Sequence, residues 1–381
     1  RAAWKGAYKR AMRLFTILLF SVSLCGAISE ARGQIIIHGA GVIGPVGGAA
    51  RYFGDSTGTL HVGELPSEFV ALGGGTAIPR FALSKTAHWL RFGVINESDR
   101  RMVSIGIPYA AIDELDVYLQ REGAYEQIAR SGLARMDGET MRSQGEYAFP
   151  LPLEPGEKAE VVVRMRSFKP IHAAMMLGTS AAIERLVTAR YPAIGAYVGI
   201  MLVLALYNFF IFLSTRDRNY FLYVLSTVTV CAAQLSLQGY GPFDLVAQSE
   251  WLTPRASLLF SLVAIPLGFE FAKGFINTRA YTPVLHRLTP IVYLVLGAIA
   301  MLFMFGDPWV GYKVGQMASG MSAMYLLAMS IVAVRRGSRQ ARFFLLAWSG
   351  FLTGVVLFVL KDEGVLPYNA WTIYAMPVGS V

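Results

Sequence analysis

The sequence predicts a membrane protein in which an N-terminal all-β sandwich is followed by a bundle of seven transmembrane helices. Residues 194–213 contain no charged side chain, and they are long enough to cross a bilayer as a helix, which takes about 20 residues. Before this segment, charges and turn residues recur every few positions, and after it long apolar runs alternate with short polar loops. The change of pattern near residue 190 therefore separates a β domain from a membrane domain.

The composition indicates that a large part of the chain avoids water. Of the 381 residues, 54% are hydrophobic and 15% are charged, whereas soluble domains carry about 25% charged residues. The net charge is +9, but many basic residues lie at helix ends and in short loops, where they set membrane topology. The charge therefore does not indicate nucleic-acid binding. The cysteines are Cys25 and Cys231, so the polar region between them has no disulfide framework and no cysteine–zinc site.

Residues 1–33 are typical of an export signal. Lys5, Lys9 and other basic residues precede the apolar stretch 14–28, which is too short to span a membrane comfortably, and small residues near 31–33 offer a cleavage point. An uncleaved anchor helix is the alternative. At its other end the chain stops inside an apolar run, so we expect an incomplete seventh helix and an output module further along the gene.

Residues 34–50 are rich in glycine and predict a flexible lead-in to the β domain. Gly39, Gly41 and Gly44 have the GxGxxG spacing of a dinucleotide-binding turn, in which a helix presents its N-terminal amides to the pyrophosphate. Pro45 and two further glycines oppose such a helix, and no βαβ pattern follows. We therefore favour a lead-in over a nucleotide site.

Residues 51–185 predict a β-sandwich. Apolar residues alternate with period two in several stretches, so Val161, Val163 and Met165 are expected on one face of a strand. Turn signals such as residues 121–123 (REG) separate these stretches. Short strands at this spacing, without helices between them, are typical of an antiparallel sandwich. The predicted strands are 88–96, 102–107, 115–120, 145–151, 159–166 and 171–177.

Residues 190–381 predict six transmembrane helices and part of a seventh. The first, third and fifth loops carry arginines, whereas the second, fourth and sixth carry acidic residues, and positively charged loops stay in the cytoplasm. This places the β domain outside and the end of the seventh helix inside the cell. Trp309 is expected in an aromatic belt at the outer interface. The helices are predicted near 193–214, 219–238, 255–275, 288–305, 309–334, 342–360 and from 370 onward.

Short sequence blocks in both regions match the pattern of one known family. They are HWLRFGVIN (88–96), LDVYL (115–119), YAFPL (147–151), VVRM (162–165), GI (199–200), ALYNF (205–209), RDRNY (216–220), LY (222–223) and QG (238–239). From about residue 52 onward the chain thereby resembles the bacterial seven-transmembrane receptors with diverse intracellular signalling modules. The resemblance implies a jelly-roll-like outer domain, similar to carbohydrate-binding modules. It also implies seven helices that relay the state of this domain to a cytoplasmic diguanylate cyclase, histidine kinase or phosphatase.

The candidate ligand-binding residues of the outer domain are Trp89, Arg91 and Tyr118, together with Tyr125. Aromatic rings stack on sugar faces, and arginine pairs with carboxylates; a core position is the favoured alternative for Trp89. In the membrane domain, Glu270 is the main ionisable candidate, because a charge in lipid is costly. Lys273 follows on the same helical face, so a structural ion pair is favoured over a proton or ion site.

Together these observations predict a multi-pass receptor in a bacterial inner membrane. It would sense a carbohydrate-like molecule, another small molecule or a partner protein in the periplasm. The output module would act in cis or in trans, and the lipid bilayer would surround the helices. A homodimer is expected because many signalling outputs work in pairs, although the sequence reveals no interface. We expect no cofactor, no metal and no enzyme activity in this part of the chain. The alternative is a transporter or channel with an extracytoplasmic domain, against which stand the missing inverted repeat and the sparse ionisable residues.

Overall fold

In the computed structural model, a β-rich domain is followed by long apolar helices, as the sequence predicts. The structure describes residues 34–38, 41–72, 78–108, 111–135, 142–143, 146–240, 249–362, 365–367 and 369–380. The predicted export signal over residues 1–33 and Gly39 of the glycine motif lie outside the described residues.

The β domain consists of short strands, five of which lie close to their predicted bounds. The strands are β1 (Gln34–Ile37), β2 (Val42–Ile43), β3 (Arg51–Asp55), β4 (Val70–Ala71), β5 (Arg80–Phe81), β6 (Ala87–Asn96), β7 (Met102–Ile107), β8 (Glu114–Arg121), β9 (Ala124–Ser131), β10 (Arg142–Ser143), β11 (Glu146–Pro152), β12 (Lys158–Arg166), β13 (Ile171–His172) and β14 (Met176–Thr179). The five close to their predicted bounds are β6, β7, β8, β11 and β12.

Among the described residues, these strands form two main sheets. The larger sheet has seven strands: six in the order β4-β3-β6-β12-β8-β9, with β1 added parallel to β6. The smaller sheet has five, in the order β10-β11-β7-β14-β2. Strands β13 and β5 form a separate antiparallel pair. Neighbours within the two main sheets other than β1 and β6 are antiparallel.

A single apolar core lies between the two sheets. Leu90 of the larger sheet and Ile105 of the smaller sheet belong to the same buried cluster. Val161, Val163 and Met165 point into this cluster, as their alternation predicts, because successive side chains of a strand lie on opposite faces. The β-rich class of the outer domain is therefore confirmed, while its jelly-roll connectivity stays a prediction.

The expected flexible lead-in over residues 34–50 was wrong. Strand β1 pairs with β6, and Ile35 and Ile37 are buried in the core. No nucleotide-binding helix opens after Gly44, where the chain makes only the four-residue 3-10 turn Val46–Ala49. A Cβ on Gly44 would lie 2.8 Å from the sulfur of Met176 and 2.9 Å from a backbone carbonyl, so this glycine permits close backbone packing.

The single strand expected over 171–177 is also wrong, because the chain changes partners there. Residues 171–172 form β13, which pairs with β5, whereas β14 begins at Met176 and pairs with β7. Strands β1 to β5, β9 and β10 were not predicted. The signal for β9 was the REG turn, since Glu122 and Gly123 have φ values of 48° and 86°, as a two-residue hairpin turn requires.

The helices begin at the end of β14. They are α1 (Ser180–Thr188), α2 (Tyr191–Thr215), α3 (Arg218–Leu237), α4 (Ala256–Ile276), α5 (Thr278–Tyr281), α6 (Pro283–Phe305), α7 (Pro308–Arg335), α8 (Arg339–Asp362) and α9 (Ala370–Gly379). Within the described residues, six helical segments are long and apolar enough to cross a membrane: α1 with α2, then α3, α4, α6, α7 and α8. These positions match the predicted spans, and α9 lies where the seventh was expected.

The loop between α2 and α3 is short, and its own residues cap both helix ends. Helix α2 ends at Thr215 and is followed by Arg216, which adopts the left-handed conformation with a φ of 57°. The next residue, Asp217, caps α3 by accepting a hydrogen bond from the backbone N–H of Asn219 at 2.9 Å. The predicted helical hairpin is therefore closed by the RDRN sequence itself.

Candidate functional site

The predicted ligand-binding residues lie together on one face of the larger sheet. This outer face is the face opposite the core. Val162 stands in register with both Arg91 and Tyr118 on the flanking strands. The ring of Tyr118 stacks on that of Trp89, with centroids 6.1 Å apart. The structure thus brings three residues from two strands into one cluster.

Trp89 is not accessible to a ligand in this conformation. Its side chain is 0% exposed and packs with Phe69 and Val162, so it holds the core-like position that the sequence favoured. Arg91 and Tyr118 remain partly exposed. A ligand therefore reaches Arg91 and Tyr118 directly, and reaches the Trp89 ring only if the residues above it move.

The residues above Trp89 form a covering segment, residues 56–72. Val62, Leu65 and Phe69 of this segment pack on the Trp89 cluster. Its start is fixed by Asp55, which accepts hydrogen bonds from the backbone N–H groups of residues 57, 58 and 60 at 2.9–3.0 Å. Burial alone would raise the pKa of Asp55, but these bonds and the Thr57 hydroxyl outweigh it and lower the pKa.

A network of charged residues ties the covering segment to the strands. Arg164 donates hydrogen bonds to Glu114 at 2.9 Å, to Asp116 at 3.1 Å and to the carbonyl of Gly58 at 2.9 Å. Arg166 also reaches Glu114, at 3.4 Å. Burial opposes ionisation of Glu114, but the arginines outweigh it and hold the pKa of Glu114 below its usual value. The carboxylate therefore stays charged and joins β8 to β12, while Arg164 joins β12 to the covering segment.

Strand β12 ends in a turn that docks on the membrane helices. This docking turn comprises residues 167–169. Phe168 is 5% exposed, and its ring contacts three aromatic residues at the outer ends of α6 and α7. The ring centroids lie 5.8 Å from Phe303, 6.3 Å from Trp309 and 6.0 Å from Tyr312. One side chain of the β domain is thus part of the apolar core of the bundle.

Asp113 holds the docking turn in shape. It accepts hydrogen bonds from the Ser167 hydroxyl at 2.6 Å and from the backbone N–H of Phe168 at 3.0 Å. The ammonium of Lys169 completes the site at 3.3 Å. Both charged side chains are almost fully buried, at 6% and 3% exposure, and a buried charge requires such a partner.

A second contact between the domains is made by residues 83–85. The indole N–H of Trp309 donates a hydrogen bond to the carbonyl of Ser84 at 2.7 Å. Lys85 forms an ion pair with Asp307, the residue that caps α7 by accepting from the Trp309 backbone N–H at 2.9 Å. The guanidinium of Arg166 lies 5.4 Å from the centre of the Trp309 ring. Trp309 is therefore a docking residue between the two domains, and its place in an aromatic belt stays a prediction.

A buried histidine lies directly behind this second contact. His88 is 7% exposed and stacks on Phe81, with ring centroids 4.1 Å apart. Its ring nitrogens are 3.0 Å from the Tyr52 hydroxyl and 3.4 Å from the Ser84 hydroxyl. Burial lowers the pKa of His88 to about 4, so the ring is neutral at neutral pH.

At the opposite end of the bundle, Glu270 is the centre of a polar cluster. Lys273 pairs with it at 2.6 Å, as the sequence predicts. The structure adds the hydroxyl of Tyr293, which donates to Glu270 at 2.8 Å, and Arg218 at 3.8 Å. The cluster thus joins α3, α4 and α6, and this network favours the structural reading of Glu270.

The contacts of the docking turn could not be found in the sequence. Asp113, Phe168 and Trp309 are separated by about 55 and about 140 positions, and no local pattern relates them. Two weak signals were present: a phenylalanine in an otherwise polar SFK turn, and an Asp-Pro-Trp sequence at the start of a helix.

The fold and these contacts define a class of protein: a multi-pass membrane protein whose N-terminal extracellular domain is packed on its helices. Residues 190–381 match the family described as 7TM diverse intracellular signalling, and residues 47–179 match the one described as 7TMR-DISM extracellular 2. The first match covers half of the chain, so the chain belongs to the family of seven-transmembrane receptors with diverse intracellular signalling modules. It is a transmembrane sensory receptor with an extracellular sensor domain. No curated protein matches the chain.

Proposed function

We propose that this receptor detects a ligand on the outer face of its β domain and relays binding to the helices through the docking turn. The relay passes to a cytoplasmic output module, such as a diguanylate cyclase or a histidine kinase, carried in cis or in trans. The membrane would be a bacterial inner membrane, with the C-terminal end of the chain in the cytoplasm. The arginines of the first, third and fifth loops support this orientation.

The observation that carries the proposal is the course of strand β12. Its residue Val162 lies in the cluster with Trp89, Arg164 holds the covering segment, and Phe168 lies among the helices. At about 3.3 Å per residue, this path from Val162 to Phe168 is about 20 Å long. A change in the packing of the outer face therefore has a short, continuous route to the bundle.

The relay requires two arrangements of the docking turn that a ligand distinguishes. A ligand shifts such an equilibrium only by its differential affinity for the two states, and allosteric coupling energies are typically about 1–3 kcal/mol. Removing a buried phenylalanine costs about 3–5 kcal/mol. The contact of Phe168 with Phe303, Trp309 and Tyr312 is therefore large enough to set the balance between the two states.

The test is the substitution Phe168→Ala in the full chain, reconstituted in lipid nanodiscs. Spin labels on cysteines introduced at Thr215 and Gln340, both exposed at the inner helix ends, report the separation of α2 and α8. Cys25 and Cys231 are replaced by serine. We expect Phe168→Ala to change the ratio of the populated distances by about fivefold or more, which corresponds to about 1 kcal/mol.

The matched control is Phe305→Ala. Phe305 lies two residues from Phe303 at the outer end of α6, but it is 74% exposed on the bundle surface. Its removal should leave the inner distances as in the unmodified receptor. Identical distance distributions in the Phe168→Ala variant and the unmodified receptor would show that the docking turn does not act on the inner helix ends.

A further inference from the structure

Two arginines stand directly opposite each other on the outer face. Arg51 of β3 and Arg91 of β6 are register partners in the antiparallel pair. Residues in such positions have Cβ atoms about 4.5–5.5 Å apart on the same face, and like charges there are destabilising. A sheet that keeps this pair needs a negative charge near it.

The described protein residues supply little of that charge. Arg51 is exposed, and no ion pair joins it to a described carboxylate. Glu160 approaches Arg91 only to 3.9 Å, and it is itself half exposed. The Nε–H of Arg91 is buried without a hydrogen-bond partner among the described residues, although an unmade bond to a buried donor costs about 1–3 kcal/mol. The site therefore has excess positive charge and an N–H donor, on Arg91, that is available to a ligand.

Aromatic rings border the arginine pair. The Arg91 guanidinium lies 4.2 Å from the centre of the Phe69 ring and donates to the Tyr125 hydroxyl at 3.0 Å. Tyr118 lies two strands from Arg91 in the same row, and both tyrosines are partly exposed. Tyrosine offers an apolar ring face and a polar tip to the same ligand. The surface thus combines a guanidinium, which can donate two parallel hydrogen bonds, with flat tyrosine rings that have an apolar face and a polar hydroxyl.

We propose that this pair binds the carboxylate of an acidic saccharide, with a sugar ring against Tyr118 and Tyr125. Arginine binds carboxylates through two parallel N–H bonds, and a neutral sugar would not require a second arginine at this position. The inference rests on the proposed function and names its ligand class. It replaces Trp89 by Arg51 among the ligand-contacting residues and keeps Tyr125.

The binding test uses the full chain in nanodiscs and two probes, trigalacturonate and its methyl ester, in which a methyl group on each carboxyl removes its charge. By calorimetry we expect the acid to bind at least about tenfold more tightly than the ester, since a charged hydrogen bond contributes about 1.5–3 kcal/mol. Arg51→Gln and Arg91→Gln should each weaken binding of the acid by about tenfold or more. Because Arg51 is exposed, its variant should fold normally.

The matched control is Arg101→Gln, which removes an arginine whose side chain is 82% exposed and lies outside the outer face. It should leave the affinity unchanged. Equal affinity for acid and ester, or an equal loss with Arg101→Gln, would overturn the proposal. Competition by inorganic sulfate at the same concentration as trigalacturonate would reduce the site to a general anion site and would overturn the saccharide part.

The absence of binding by both trigalacturonate and a hyaluronan tetrasaccharide would also overturn this inference. The proposed relay would survive that result, because the Phe168→Ala experiment contains no ligand. Conversely, trigalacturonate could bind in an arginine-dependent way while Phe168→Ala leaves the inner distances unchanged. That result would support the ligand site and contradict the relay.

Discussion

The outer and inner ends of the helical bundle are each held by a carboxylate, but in different ways. At the outer end, Asp113 is almost fully buried and binds residues 167–169 of its own domain, which then present Phe168 to the helices. At the inner end, Glu270 is 28% exposed and binds side chains from three helices directly. The outer carboxylate shapes one turn, whereas the inner carboxylate holds helices together.

This difference indicates that Asp113 and Glu270 have different structural roles. Substitution of Asp113 should unfold the docking turn and separate the β domain from the helices. Substitution of Glu270 should instead weaken the packing of α3, α4 and α6 without affecting the β domain. Because Asp113 is the more deeply buried, its loss should cost more.

The largest effect is expected from Asp113→Ala. It leaves the ammonium of Lys169 buried without its carboxylate, and breaking a buried pair in this way costs about 3–5 kcal/mol. The free energy of unfolding of the β domain, measured by urea titration of the detergent-solubilised chain with β-sheet circular dichroism, should fall by that amount. Asp99→Ala, at a side chain that is 83% exposed, is the control. A loss below about 1 kcal/mol would contradict the buried-pair account.

A smaller effect is expected from Glu270→Ala. It removes the charged hydrogen bonds from Lys273 and Tyr293, each of a kind that contributes about 1.5–3 kcal/mol before solvent screening. Since both ionised groups are partly exposed, we expect a total of about 1.5–3 kcal/mol. Detergent-induced unfolding of the helices in bicelles measures it. Tyr293→Phe should lower the free energy of unfolding by about 1 kcal/mol. Equal stability of the unmodified chain and the two variants would show that the cluster does not hold the helices together.

The smallest effect at neutral pH is expected from His88, and it grows in acid. Its pKa is about 4 when folded, against a model-compound value of 6.5, so the unfolded chain binds the proton first. The stabilisation is complete above pH 6.5 and is lost as the pH falls toward 4. Between pH 7 and pH 5 the free energy of unfolding of the β domain should fall by about 2 kcal/mol from this group.

The His88 prediction is checked by urea titration at both pH values. His88→Gln should remove this part of the pH dependence, whereas His61→Gln, at an exposed histidine, should retain it. The same pH dependence in the His88→Gln variant and the unmodified chain would assign the acid sensitivity to other groups. Ser84 contacts both His88 and Trp309. A large effect of pH on the docking of residues 83–85 would therefore show that protonation of His88 also acts on the outer end of the bundle.

Much of the helical half could be predicted because its signals are local. An apolar run of the right length, such as residues 194–213, specifies a spanning helix wherever it lies in the chain. Strand β12 was found in the same way from its alternation. Strand β1 was missed because the glycines that follow it indicated a flexible segment, and β3 was missed because it is short and contains Gly54; the positions of both depend on pairing with β6.

The sequence by itself determined the two-domain order, the spans and the charge asymmetry of the loops, since each follows from neighbouring residues. It also supplied Arg91 and Tyr118, but not their partner Arg51, because only strand register brings β3 beside β6. Tertiary structure alone decided which residues cover Trp89 and that Phe168 reaches the helices. Both depend on contacts between residues far apart in the chain, and the free energy of such contacts comes from burial in a shared core that no single segment encodes.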